Sequence, residues 1–263
     1  MEFDMKKRKQ GWMTWIAGLA LLIGGAAGFA SLIAPLGTWL GLWQFGTGFQ
    51  ILRAVNPYTG WIGLVCLATG FALLALAHQK GTGNGLTLFN LAAGGALAAG
   101  IAWYIPATFQ APEGQNYPPI HDVSTDLLDI PQYVAIMPLR ADAPNTTIYG
   151  GSPRMTPERN AQLQQEAFPD LVTRFYDEPQ QVIFDRALTA VDEMGWELVA
   201  AVPEEGRIEA TATTFWFRFK DDVVIRLRAE NGRTKVDARS LSRVGGGDAG
   251  TNAKRLRKFF EIL

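Results

Sequence analysis

WELVAAVPEEGRIEATATTFWFRFKDDVVIRLRAENGRTKVDARSLSR, residues 196–243, holds the pattern that decides the fold of the C-terminal half. Four runs within it, WELVAAV, RIEATATTFWFRF, DVVIRLRA and TKVDARSLSR, alternate in polarity or are rich in β-branched and aromatic residues, as half-buried strands are. The breaks PEEG, KD and ENGR are short and turn-like, so successive strands pair antiparallel in a meander. Alternation then assigns faces. Val223, Ile225 and Leu227 share one face with Val236 and Ala238, while Arg226, Arg228, Lys235, Asp237 and Arg239 point the other way. The second run changes parity between Ala212 and Phe215, which predicts a bulge near Thr213 or Thr214.

Helices flank this meander. DEPQQVIFDRALTAVDEMGW, from residue 177, offers Asp177 as a cap, Gln180 to complete a capping box, and Phe184, Ala187, Leu188 and Val191 on one face. A closing helix over residues 254–263 carries Leu256, Phe259, Phe260 and Leu263 on its apolar face. Upstream, residues 122–169 read as loops with a helix near 157–166. The expected domain is α+β: an antiparallel sheet of about four strands with two helices on one face, in helix-grip fashion, over residues 122–263. Its other face is expected to be open and to carry a basic lattice.

The N-terminal half obeys different physics. A formal net charge of -1 conceals a split: residues 11–109 contain only Arg53 and Lys80 as charged groups. Residues 12–34, 61–77 and 86–109 are uncharged runs with the length and apolarity of membrane-spanning helices, which makes an N-terminal three-helix transmembrane region over residues 11–109. Residues 36–58, with Trp39, Leu40, Trp43, Phe45, Phe49 and Leu52, suit a short helix along the membrane–water interface. Lys6, Lys7, Arg8 and Lys9 in the basic segment 1–10 favour a cytoplasmic N-terminus. Three crossings then put the C-terminal domain outside, periplasmic if the membrane is a bacterial inner membrane. Residues 110–121, QAPEGQNYPPIH, read as a linker. Gly24 with Gly28, and Ala92 with Ala96 and Gly100, recur at the four-residue spacing that lets helices approach closely.

Several chemistries are disfavoured. One cysteine, Cys66, allows neither an intramolecular disulfide nor a cysteine zinc site. No Asp, Glu, Lys or Arg lies within a span, against a transporter. SRVGGGDAGTNAKR, residues 242–255, satisfies G-x-G-x-x-G at Gly245, Gly247 and Gly250, but only 13 residues follow and no parallel β-α-β unit surrounds it, so a dinucleotide site fails. Two readings stand: a strand-to-helix connection with Asp248 as helix cap, or an anion held by backbone N–H groups with help from Arg243 and Arg255. His121 and Asp122, with Ser124 and Thr125, supply hydrolase residue types without a nucleophile elbow; otherwise Asp122 and Asp126 cap turns and pair with the basic strands.

PPIHDVSTDLLDIPQY, residues 118–133, and FKDDVVIRLRAENGRTKVDARSLSRVGGGDAGTNAKRLRKF, residues 219–259, together resemble the DUF1499 family, and LGTWLGLWQFGTGFQILR resembles its three-span bacterial members. The resemblance implies a signature of His121, Asp122, Thr125, Asp126, Asp222, Asp237, Arg239, Ser240, Ser242, Arg243, Asp248, Gly250, Asn252 and Arg255. Gly246 and Gly247 depart from it, where members usually have Arg and Ser. It implies no activity.

From residue 226 to 258 there are 10 basic and 3 acidic residues, against 8 and 19 in residues 110–225. Either the two sets pair within the domain, or the basic face, with Arg226, Arg228, Arg239, Arg243, Asn252 and Arg255, meets an anionic surface. The expectation is a membrane-anchored envelope protein with a non-enzymatic interaction, accessory or assembly module, using the bilayer and a membrane or envelope protein as partners. The alternative is an anionic lipid or small ligand in a helix–sheet cleft lined by Phe215, Trp216 and Phe217; an envelope enzyme ranks third. No cofactor, metal or nucleic acid is expected.

Overall fold

The computed structural model describes residues 2–108, 116–151 and 155–263, with side chains described from residue 11 onward. The expected linker residues 110–115 lie outside the described set, as do the side chains of the basic segment 1–10. The chain divides into two compact units, residues 1–110 and 111–263.

The first unit is three helices, α1 (Glu2–Trp39), α2 (Phe45–Gln79) and α3 (Gly85–Ala107). Gly11–Trp39, Phe45–Gln79 and Gly85–Ala107 are each long and apolar enough to cross a membrane. Only residues 40–44 turn between α1 and α2, and Trp43 folds back there so that its Nε1 donates to the Ala34 carbonyl at 3.1 Å. From Phe45 onward the stretch expected as a separate interfacial helix is continuous with the second span. Pro57 lies inside α2, where it has no N–H to give the preceding turn; Thr59 Oγ1 donates to the Asn56 carbonyl at 2.8 Å.

Small residues set how closely these helices approach. A Cβ on Gly24 would come within 2.1 Å of the Gly95 carbonyl oxygen, and one on Gly95 within 2.3 Å of the Ala20 oxygen. Gly63 lies against Ala96 and Gly100, and Gly70 against Ala92. The recurrent small residues are therefore used within the bundle, with Gly95, outside the expected stripe, at the tightest crossing. Gly95→Leu is expected to force α1 from α3 and destabilise the bundle by about 1–3 kcal/mol, read as a lower thermal unfolding midpoint in detergent; Gly11→Leu, at a position with open space, serves as the neutral control.

The second unit is α+β. Its sheet has six strands, β1 (Asp122–Ser124), β2 (Arg174–Tyr176), β3 (Glu197–Val202), β4 (Arg207–Thr213), β5 (Lys220–Glu230) and β6 (Arg233–Ser242). The order is β3-β4-β5-β6, and β1 and β2 share the outer edge of β6, opposite residues 239–241 and 234–236 respectively. Thr125 bridges the gap between them, its N–H donating to the Ala238 carbonyl and its Oγ1 accepting from Ala238 N–H, both at 2.9 Å. Two strands were missed in the sequence because three residues are too few to show alternation.

Helices α5 (Gln180–Glu193) and α6 (Thr251–Ile262) cover one face. Ile183, Phe184, Ala187 and Val191 of α5 and Leu256 and Phe259 of α6 bury against Ile208, Ala210, Val223, Ile225, Leu227, Val236 and Ala238, the parity expected. Asp177 does not cap α5, which starts after Pro179; it instead accepts from Arg233 Nε at 2.7 Å. The register irregularity falls in β3, between Leu198 and Ala200, while β4 stays regular to Thr213 and ends there.

The largest correction concerns the other face. It is not open: residues 125–149 lie across it, with Tyr133 and Ile136 packed on Val224 and Leu241. Helix α4 (Pro157–Ala167) closes the outer edge of β1. There Asn160 Nδ2 donates to the Asp122 carbonyl at 3.0 Å, and the Gln164 amide bonds both Ser124 N–H and Ser124 O, at 3.0 and 2.7 Å. Side-chain amides thus stand in for a missing strand.

Candidate functional site

The signature residues fall into two buried clusters, one on each face of the sheet. On the face beneath residues 125–149, Arg239 is 0% exposed. Its guanidinium grips Asp122 with two bonds, 2.9 and 2.7 Å, and donates to the carbonyls of Pro131 at 3.1 Å and Thr147 at 2.7 Å. The rings of Tyr133 and Tyr149 lie 5.0 and 5.8 Å from its carbon. Burial alone would weaken its hold on the proton, but Asp122 outweighs that and holds the group firmly charged.

Around this pair the charges interleave. Asp222, fully buried, accepts from Arg140 at 2.5 Å, from Arg243 at 2.9 and 2.8 Å, and from Thr211 Oγ1 at 2.8 Å. Asp237 accepts from Arg226 at 2.9 Å and from Thr173 Oγ1 at 2.6 Å. Asp126 caps its own turn, taking N–H groups from Leu128 and Asp129 at 3.0 and 2.9 Å, and pairs with Lys235 at 2.8 Å. Burial pushes the Asp126 carboxyl up, but those N–H groups and Lys235 outweigh it and hold it below the ordinary range. Arg228, by contrast, is exposed and pairs with Asp129 at 2.5 Å.

The expected basic lattice is therefore an internal ion-pair network. Arg226 at 9% and Arg239 at 0% exposure present no cation to an outside surface, because Asp122, Asp126 and Asp237 are folded onto them. Of the two sequence readings for Asp122 and Asp126, turn capping and pairing with the basic strands is the one realised.

The second cluster lies where α6 meets the sheet. Arg255 donates to Asp221 at 2.6 Å and to Ser240 Oγ at 3.0 Å, and also bonds Asn252 Oδ1. Asn252 Nδ2 reaches the His121 carbonyl at 3.0 Å and Ser242 Oγ at 2.9 Å. Asp248 receives the N–H of Gly250 at 2.9 Å and of Asn252 at 2.8 Å. The first turn of α6 thus has its anion, and that anion is the chain's own carboxylate. Burial raises the Asp248 carboxyl more than those two bonds lower it. Gly250 is required here: its φ is 72°, and a Cβ would come within 2.6 Å of the Tyr117 ring. His121 contributes its carbonyl, and its Nδ1 is buried without a partner; no nucleophile lies hydrogen-bonded to it among the described residues.

Glu209 is the member that sequence reasoning missed. Fully buried on β4, it accepts the N–H groups of Val134, Ala135 and Ile136 at 2.9–3.1 Å and bonds Arg207. It thus gathers the N–H groups just ahead of the 3-10 turn Met137–Arg140, from the sheet face beneath them. The sequence carries no signal for it: Glu209 shares the parity of Thr211, opposite to the core residues Ile208, Ala210 and Ala212, where a charge is ordinary. Asn160 and Gln164 were also missed, although their four-residue spacing puts them on one helix face. Phe215, Trp216 and Phe217 lie in the turn after β4 and do not line a helix–sheet cleft; that interior is filled by the apolar core. A cleft of about 200 Å³ opens instead beside Leu171, Val172, Arg174, Arg257 and Phe260. Among the described residues no group of three or more His, Cys, Asp or Glu could hold a metal ion.

Removing one partner of the Asp122–Arg239 pair strands the other. Asp122→Ala and Arg239→Met are each expected to cost about 3–5 kcal/mol, and the double variant distinctly less than their sum, measured by thermal unfolding. The pH response has a definite sign. Asp126 is depressed in the folded state, so its stabilisation is complete above the unfolded value of about 3.9 and lost as pH falls through the lower folded value. In Asp126→Asn that acid-side loss is expected to disappear from a pH series of unfolding midpoints.

No curated relative matches the chain. Residues 152–263 match the model of a family described as a protein of unknown function, DUF1499. The first signature stretch, residues 118–133, lies ahead of that match, although Asp122 is bonded to Arg239 within it. The family match thus lies in the C-terminal region, in one chain with three helices long and apolar enough to cross a membrane.

Proposed function

We propose that the chain is a membrane-anchored interaction module, its domain extracytoplasmic at a bacterial inner membrane and acting through contact with a membrane or envelope protein. The observation that carries this reading is the division of labour within residues 125–149. Tyr133, Ile136 and Arg140 point into the sheet and are bonded there, while Leu128, Val134, Met137 and Leu139 face outward, Leu128 at 99% exposure. A segment held by the Glu209 carboxylate on three of its N–H groups, and by Arg226, Arg239 and Arg243 on its carbonyls, is a rigid platform, and rigid apolar groups bind at little entropic cost. The partner's contact is therefore assigned to this platform and away from the arginines beneath it. The orientation rests on Lys6, Lys7, Arg8 and Lys9 ahead of the first span.

A small-ligand reading has one supporting feature, the cleft beside α6 with Arg174, Arg257 and Phe260. Its volume of about 200 Å³ is below the roughly 300–1,000 Å³ of ordinary ligand pockets, which places it second.

Leu128→Lys with Met137→Lys and Leu139→Lys, in the full chain, is expected to abolish co-purification of a specific crosslinked protein while changing stability by no more than about 0.5 kcal/mol per site. Undiminished recovery of that protein would reject the platform; native mass spectrometry showing a small molecule lost on Arg174→Ala would favour the cleft.

A further inference from the structure

We propose that the cleft between the loop ahead of β2 and the second half of α6 binds a small, singly charged carboxylate with a short aliphatic group, its charge met by Arg174. This site rests on the small-ligand reading of the cleft and stands apart from the platform on residues 125–149. Leu171, Val172 and Phe260 form the apolar part of the lining, and Arg174 and Arg257 its cations.

The cations around the cleft are paired, with one exception. Arg257 grips both oxygens of Asp170 at 2.6 Å, and Lys258 reaches Glu261 at 3.3 Å. Along β2, Arg233 bonds Asp177 at 2.7 Å. Arg174 has no hydrogen bond or ion pair among the described residues; its guanidinium lies over the Phe260 ring, 6.0 Å from the centroid. A ring attracts the cation without supplying the carboxylate oxygens that its fork of donors fits. The charge of Arg174 nevertheless reaches the cleft. Asp170 is held below the ordinary carboxylate range, by Arg257 first and against the effect of burial, and Arg174 adds to that hold.

The walls are fixed before any ligand arrives. Leu171 is 5% exposed and belongs to the core, and its N–H donates to the Phe168 carbonyl at 3.2 Å. Thr173 Oγ1 donates to Asp237 at 2.6 Å, and Arg174 itself stands opposite Val236 in the β2–β6 pair. Phe260 packs edge to face on Phe259 at 5.2 Å. Such a site orders little on binding. Charge then selects the occupant. With Arg257 spent on Asp170 and Lys258 on Glu261, the surplus is the single positive charge of Arg174, and the two carboxylates in the lining disfavour a dianion. A planar carboxylate fits the guanidinium fork. The volume of about 200 Å³ limits the remainder to a short aliphatic group, which Leu171, Val172 and Phe260 can contact.

The test uses the full chain in phosphatidylcholine nanodiscs at neutral pH, with empty nanodiscs as the blank. Isovalerate and isovaleramide are titrated separately by ligand-observed NMR, and inorganic phosphate is titrated against bound isovalerate. Thermal unfolding first establishes that the variants are folded. The expected result is saturable isovalerate binding, weakened about tenfold or more when the amide replaces the carboxylate or in Arg174→Gln. Val172→Glu, which adds a like charge to the cleft and leaves Arg174 in place, carries the same expectation and serves alone if Arg174→Gln does not fold. Isovaleramide binding as tightly as isovalerate, or phosphate displacing isovalerate at equal concentration, would overturn the carboxylate assignment and leave the small-ligand reading standing. No saturable binding of either probe, or binding indifferent to these substitutions, would overturn both.

Discussion

The buried pair of Asp122 and Arg239 is the constraint on which the second layer of the domain depends. A guanidinium at 0% exposure on a central strand costs several kcal/mol to desolvate and is tolerable only when its donors are matched. Those acceptors come from β1, from Pro131 and from Thr147, residues spread over a stretch with little regular secondary structure. Satisfying one cation therefore orders the chain from 122 to 147. The same reasoning makes that order cooperative: releasing any one attachment leaves a buried charge short of partners, so the segment is held as a unit.

Two further positions show the same economy of charge. Backbone N–H groups converge before the 3-10 turn at Met137 and at the start of α6, geometries that elsewhere attract phosphate or sulfate. Here Glu209 fills the first and Asp248 fills the second. The chain supplies its own anions at both. This leaves contact chemistry to what faces outward, which on residues 128–139 is Leu128, Val134, Met137 and Leu139 beside Asp129 and Gln132.

The membrane unit is built on the opposite economy. With almost no charge available, approach distance is set by glycine, and the Gly24–Gly95 contact brings backbone against backbone. Neither unit borrows the other's means of cohesion: dispersion at close range holds one, and hydrogen-bonded charge holds much of the other.

Much of this architecture was legible in the residues. The uncharged runs announced three spans, because hydrocarbon admits few alternatives. Strand alternation assigned Val223, Ile225, Leu227, Val236 and Ala238 to the helix-covered face, because side-chain direction in a strand is local geometry. The resemblance to DUF1499 rested on polar residues whose spacing is itself a sequence property. Tertiary structure alone decided what lay over the other face. Nothing in the periodicity of residues 125–149 told that they would cross the sheet, that Glu209 would gather their N–H groups, or that Arg226 and Arg239 would be buried. Those facts rest on contacts between residues about 75 to 117 positions apart. The second span likewise extended back to Phe45, with Pro57 inside the helix, a continuity that residue patterns around a proline do not announce. Local patterns determine direction and period; the burial of a charge is decided by whichever distant groups the fold brings to meet it.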